Sequence, residues 1–309
     1  MTPSHRPCIQ QTLLKRETGV ELRHTGFTLV ELLVVIIIIS ILSAMTLGGM
    51  ASAAKSSRTQ TTTLLIRRLS DSILERCEEY EDLAVSRTTV VGLVSLRAQM
   101  REEMPDSWAD VFDLTSGSAA PARSGLPAPK TCGMAYARYK DQRRITLSKQ
   151  FQSSECLYMI ITVSGFFPDF MENVRPERVG DVDGDGAKEF LDGWGNPIAF
   201  MRWAPGFSSP YSPIQFNVPA DYHDPIDDAG LDLTAFALYP LVYSPGIDGE
   251  YGLLASDTGW PDANLGVASP STPCTFNPGG DGLVGSPNPT AGKENDFRDN
   301  ITNHSLFAQ

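Results

Sequence analysis

The chain has little of what most chemistry needs. Histidine occurs four times in 309 residues, and two of those, His5 and His24, precede the long apolar run. The other two, His223 and His304, have no partner at metal-ligand spacing. The five cysteines never fall in a C-x-x-C pair, which argues against a zinc site. No glycine-rich loop is followed by a phosphate-binding lysine, and neither Gly165-Phe166-Phe167 nor Gly206-Phe207-Ser208 is a nucleophile elbow. With no carrier for hydrolytic, zinc or nucleotide chemistry, an enzyme is not expected. Positive charge is also short. Lys and Arg total 25 against 37 Asp and Glu, a formal net charge of −12, which makes the chain a poor candidate for binding nucleic acid non-specifically. There is no internal repeat, and Trp108, Trp194, Trp203 and Trp260 read as core or loop anchors rather than a sugar platform.

What is present begins with one apolar stretch. From Phe27 to Leu47 the single charged residue is Glu31. At about 1.5 Å rise per residue, such a stretch crosses a hydrocarbon core roughly 30 Å thick. Its many Val and Ile residues are compatible with helix in lipid, where no other open structure satisfies the backbone. A carboxylate at the edge of such a segment needs a partner. If the chain were cut after Gly26, Phe27 would carry a new α-amino group, with Glu31 four residues on along the same helix face. Apolar content of 41% suffices for a packed core beyond it, as one large domain or two small ones.

The run Gly26-Phe27-Thr28-Leu29-Val30-Glu31, followed by the apolar stretch, resembles the class III signal of type IV pilins and type II secretion pseudopilins. The resemblance implies that a prepilin peptidase cuts after Gly26 and methylates the amine of Phe27. It implies too that Glu31 pairs with the terminal amine of a neighbouring subunit during filament assembly. The leader, residues 1–26, is long for that family. Arg6, Lys15, Arg16 and Arg23 before the span predict a cytoplasmic leader, an inner-membrane anchor and an exported periplasmic remainder. In that compartment Cys77, Cys132, Cys156 and Cys274 can pair, and two bridges are expected, with three pairings open.

Taken in order, residues 27–50 read as a transmembrane and assembly helix, 51–104 as a helical spine with a second helix, 105–165 as a variable insert, and 166–309 as the calcium-loop and small-sheet region of the head. The first helix is expected to continue past Gly48-Gly49. Ile66, Leu69, Ile73, Cys77 and Tyr80 share one face, with Arg67, Arg68, Asp71, Glu75, Glu78 and Glu79 opposite. The Ser- and Thr-rich residues 56–63 are a place for it to melt or kink. A second helix is expected over residues 89–104, with Val90, Leu93, Leu96 and Met100 on one side, ended by Pro105. Residues 115–130 read as a loop, 154–164 as a short apolar segment leaning to helix, and 197–203 and 235–243 as strands. Beyond Gly246 the chain is irregular, and a metal or a disulfide through Cys274 would tie it.

Residues 181–192 match the twelve-residue calcium loop. Asp181, Asp183 and Asp185 stand at positions one, three and five, Gly186 at the sharp turn, the Ala187 carbonyl at seven, Glu189 at nine and Asp192 at twelve. A structural calcium is expected there. Asp192-Gly193-Trp194-Gly195-Asn196-Pro197 next resembles the D-x-W-G-N-P element of the major pseudopilin. Ser244-Pro245-Gly246-Ile247-Asp248-Gly249 resembles its S-x-G-x-D-G, and the acidic segment around Asp296-Phe297-Arg298-Asp299-Asn300-Ile301 its closing stretch. That resemblance implies Asp248 and Asp296, with Asp299 as a third, as ligands of a further calcium. A long insert separates the two stretches, and residues 85–165 have no counterpart. The fold class expected is α+β: a long amino-terminal transmembrane helical spine packed on a globular head with a small antiparallel sheet and long irregular carboxy-terminal loops. The function expected is that of a pseudopilin-like subunit in type II-like secretion, with other pilin-like subunits, prepilin peptidase and the inner membrane as partners and no nucleic acid. The alternatives are a type IV pilin or minor pilin for adhesion, motility or DNA uptake, and a calcium-binding surface adhesin exported by a pilin-type signal.

Overall fold

The computed structural model describes residues 27–85, 89–111, 135–136, 138–139, 147–204, 207, 226–227, 239–253, 285 and 296–307. Gly26, His223, the expected loop at 115–130, Cys132, Trp260, Cys274 and the first part of the expected strand at 235–243 lie outside the described residues. The chain divides into two compact units between Ser52 and Ala53.

Helix α1 is Leu29–Val85, and it runs unbroken through Gly48 and Gly49. In the first unit it is long and apolar enough to cross a membrane, and its Leu, Val and Ile side chains are exposed along its length. The helix does not melt at 56–63, where it is continuous. The hydroxyls of Thr59, Thr61 and Thr62 bond back to the carbonyls of Lys55, Ser57 and Arg58 at 3.1, 2.7 and 2.9 Å. Satisfied inside the helix, they no longer compete for its backbone groups.

In the second unit the expected face of α1 is buried. Ile66, Leu69, Ile73 and Tyr80 have no exposed surface, and Cys77 is buried with them. They pack in one cluster with Leu93, Leu96 and Met100 of α2 (Val90–Glu103) and with Leu157, Ile160 and Ile161 of α4 (Gln152–Val163). Thr89 caps α2, its hydroxyl accepting from the Gly92 N–H at 3.1 Å, and Pro105 follows the helix end. A four-residue helix α3, Trp108–Val111, comes next. Segment 154–161 is buried at every residue, so α4 is a core helix rather than an amphipathic one. It contacts β2 (Glu189–Phe190) and β3 (Ala199–Met201).

The strands are short. β1 (Val179–Gly180) pairs antiparallel with β2. β3, β4 (Leu241–Ser244) and β5 (Ile301–Thr302) form a three-stranded antiparallel sheet in that order, with Ala199 opposite Tyr243 and Tyr243 opposite Thr302. Helix α5, Asn303–Phe307, follows β5 directly. Its Asn303 amide donates to Ser70 Oγ of α1 at 3.1 Å and to the Pro240 carbonyl at 3.0 Å, and its oxygen accepts from the Val242 N–H.

Two features were not expected. Cys77 and Cys156 are both free and buried, in separate clusters, so the two bridges expected among Cys77, Cys132, Cys156 and Cys274 do not form. Each thiol fills apolar packing, and burial pushes Cys77 up to about 12 and Cys156 well above its ordinary value. The second feature is a buried ion-pair group. Arg202, with a fully buried side chain, donates to Asp110 Oδ2 at 3.0 Å and to the Met104 carbonyl at 2.8 Å, and lies 3.5 Å from Asp106. Arg101 pairs with the other oxygen of Asp110. The end of α2 and all of α3 are thereby held against the residue that follows β3.

Candidate functional site

At the amino end, Phe27 and Glu31 are exposed, and Gly26 lies outside the described residues. Glu31 Oε2 accepts from the Thr28 N–H at 2.8 Å and from its hydroxyl at 2.9 Å, while Thr28 Oγ accepts from the Glu31 N–H at 3.2 Å. This is a capping box: Thr28 starts the helix and the glutamate three residues on reaches back. Its signal, T-x-x-E, stands in the sequence beside the glycine and phenylalanine.

The acidic loop joins β1 to β2. Gly184 and Gly186 take φ values of +77° and +98°, which side chains rarely adopt, and so let the chain fold over its own carboxylates. Asp181 accepts from the N–H groups of Gly184 at 2.7 Å and Gly186 at 3.0 Å, and Asp185 from that of Ala187 at 2.8 Å. Carboxylate oxygens of Asp181, Asp183 and Asp185 lie within 4.8 Å of one another. The preceding chain closes one side: Ser148 N–H donates to Asp185 at 2.7 Å and Ser148 Oγ to Asp183. Ala187 is fully buried.

A second group of three oxygens, again within 4.8 Å, comes from Glu155, Asp183 and Glu189. Glu155 stands in the first turn of α4 and Glu189 in β2, and they are 1% and 0% exposed. Glu155 Oε2 accepts from the Trp108 indole at 2.5 Å, and Glu189 Oε2 from the Val182 N–H at 3.2 Å. The other oxygen of each, Oε1, is buried without a hydrogen-bond partner. Burial, then the charge of Asp185, with smaller contributions from Asp183 and Glu189, pushes the Glu155 carboxyl up to about 9 against the Trp108 bond. Burial likewise carries Glu189 up to about 7, opposed by the Val182 N–H and helped by the three aspartates.

Asp192 is not brought to this group. It is fully buried, and its oxygens accept from the N–H groups of Trp194 at 2.7 Å and Asn196 at 2.9 Å and from Ser244 Oγ at 2.6 Å. It shapes the turn over residues 192–197. That turn lies against α1: the Gly193 N–H donates to Thr62 Oγ at 2.7 Å, and a Cβ at 193 would fall 2.5 Å from the Arg58 carbonyl oxygen. Asn196 Nδ2 donates to the Gly246 carbonyl at 3.1 Å, and Asp299 Oδ2 accepts from the Ile247 N–H at 3.0 Å. The segments at 192–197, 244–249 and 296–301 thus meet in one place. Asp248 is raised above its ordinary value by burial, with Asp299 and Asp296 adding repulsion. Among the described residues these three carboxylates form no group as tight as the two above.

Glu155 and Ser148 were not expected at the site, and Trp108 was expected only as a core or loop anchor. One signal was available for Glu155, an acid set inside the apolar run 154–164. Of the known families, residues 22–47 match the model described as the prokaryotic N-terminal methylation motif. This motif is the class III signal of type IV pilins and pseudopilins, and the likeness covers the amino-terminal segment. No curated protein and no solved structure matches the chain.

Proposed function

We propose that this chain is a pseudopilin-like subunit of a periplasmic filament that drives type II-like protein secretion. In this reading a prepilin peptidase cuts after Gly26 and methylates Phe27, the apolar part of α1 anchors the subunit in the inner membrane, and the head faces the periplasm. Other pilin-like subunits are the partners, joined through the amino-terminal helices, and Glu31 pairs with the amine of Phe27 on a neighbour. The observation that carries this is the methylation motif continuing directly into an apolar helix of membrane-spanning length. The meeting of the three pseudopilin-like segments around Asp192, Gly246 and Asp299 supports secretion over other filament roles. The loop at 181–189 holds a structural calcium in the head, at an affinity of about 10⁻⁴ to 10⁻³ M, as in extracellular modules.

The test of processing is mass spectrometry of the amino terminus of protein recovered from membranes. The expected species begins at a methylated Phe27. A species beginning near Ala44 or Ala54, as a conventional signal peptidase would leave it, overturns the proposal. Retention of exoproteins in a deletion strain, with surface filaments unaffected, then separates secretion from a pilus role.

A further inference from the structure

We infer that the acidic loop carries an interior cation position, formed by Glu155, Asp183 and Glu189, in which a hard divalent cation of calcium size ties helix α4 to β2. The inference deepens the calcium reading of the loop and rests on it for the identity of the ion.

Three observations meet here. The ligand set is all oxygen, which selects hard cations over zinc or copper. The oxygens of the three residues lie within 4.8 Å of one another. Two oxygens on opposite sides of a calcium ion, at about 2.3 to 2.6 Å each, are about 4.6 to 5.2 Å apart, so one ion can touch all three. The third observation is independent of the clustering. Glu155 and Glu189 are 1% and 0% exposed, and each keeps one oxygen with no hydrogen-bond partner. A solvated acidic turn would leave such oxygens to water. Two buried carboxylates, each with an oxygen that no hydrogen bond satisfies and both grouped with a third, are a ligand set that a hard cation would complete.

This position differs from the twelve-residue loop pattern in where its last ligand originates. Asp192, which the pattern puts at position twelve, holds the turn at 192–197. Glu155 supplies a carboxylate from a different element, and its orientation is set by the Trp108 indole. Asp183 belongs to both oxygen groups, so the loop and the interior position share a wall.

The experiment uses the full chain in detergent, stripped with chelator, with calcium alone as the probe. Equilibrium dialysis and thermal unfolding are run on wild type, Glu155→Gln and Asp181→Asn. Glutamine keeps the acceptor for Trp108 and removes the charge. The expected result is that Glu155→Gln weakens calcium binding by about tenfold or more, given that even outer-shell changes cost that much. It should also unfold no lower than wild type in chelator, yet gain far less from calcium. A merely structural Glu155 would give a Glu155→Gln difference that is the same with calcium and with chelator, and that result overturns the inference. Undiminished binding in Glu155→Gln combined with loss in Asp181→Asn also overturns it, and leaves the calcium reading of the loop intact. If wild type takes up no calcium, both fall together.

Discussion

His304 sits in α5 with its ring buried, Nε2–H donating to the Pro240 carbonyl at 3.1 Å and the ring edge-on to Phe207. Burial lowers it from 6.5 to about 4, and the Pro240 bond offsets only part of that. The folded state therefore favours the neutral ring. That contribution is complete above about pH 6.5 and is lost as the pH falls through the folded value near 4. The shift corresponds to about 3 kcal/mol at most. Comparing urea midpoints at pH 7.5 and 4.5 for wild type and His304→Gln isolates it from the carboxylates, whose titration both proteins share. Wild type should lose more stability than the variant on acidification. An equal loss would mean that the ring is solvated in the folded protein. At this same scale the site was half legible. Alternating aspartates and glycines announce a turn that gathers oxygens, because all its members are neighbours in the chain. Glu155 is not announced, because its partners are assembled by the packing of α4, and no local spacing records that. The cysteines failed for the same reason: pairing depends on which thiols meet, and Cys77 and Cys156 sit in different clusters.

Among elements, those with a clear period were readable. The buried face of α1 repeats at helical spacing and α2 stops at a proline, so both lie where the sequence put them. For α4 the apolar run leaned to helix without excluding a buried strand, and the segment is helical. The attachment of α3 was not readable, since it depends on Arg202, 92 residues on from Asp110, reaching Asp106 and Asp110. Arg202→Leu should be severe. It leaves buried Asp110 with Arg101 as its one cation and half-buried Asp106 beside it, and removing one partner of a buried ion pair costs about 3 to 5 kcal/mol. Chemical denaturation should show a fall of that size, and the double change to Asp110→Asn should recover part of it. A loss below 1 kcal/mol, about the value of a surface ion pair, would show that the group is solvated.

For the whole molecule the methylation motif and the head make separate demands on one chain. Glu31 caps its own helix through Thr28 while it is alone, and under the filament reading it exchanges those bonds for a charged amine on a neighbour. Glu31→Val should be inserted and processed like wild type, because valine is cheaper in lipid than a carboxylate. Cross-linking between subunits should fall several-fold. Wild-type cross-linking in that variant would remove the pairing role while leaving the motif in place.

Ser70 and Asn303 share a hydrogen bond across 233 positions of chain, and β4 is flanked on one side by β5. A chain that arrives amino end first therefore presents Ile66, Leu69 and Ile73 long before the strand and helix that help cover them exist. Until residues 301–307 arrive, β4 is an open edge able to pair with other molecules. A copy that stops before residue 301 lacks both β5 and the Asn303 bond to Ser70, so that edge of β4 stays unpaired.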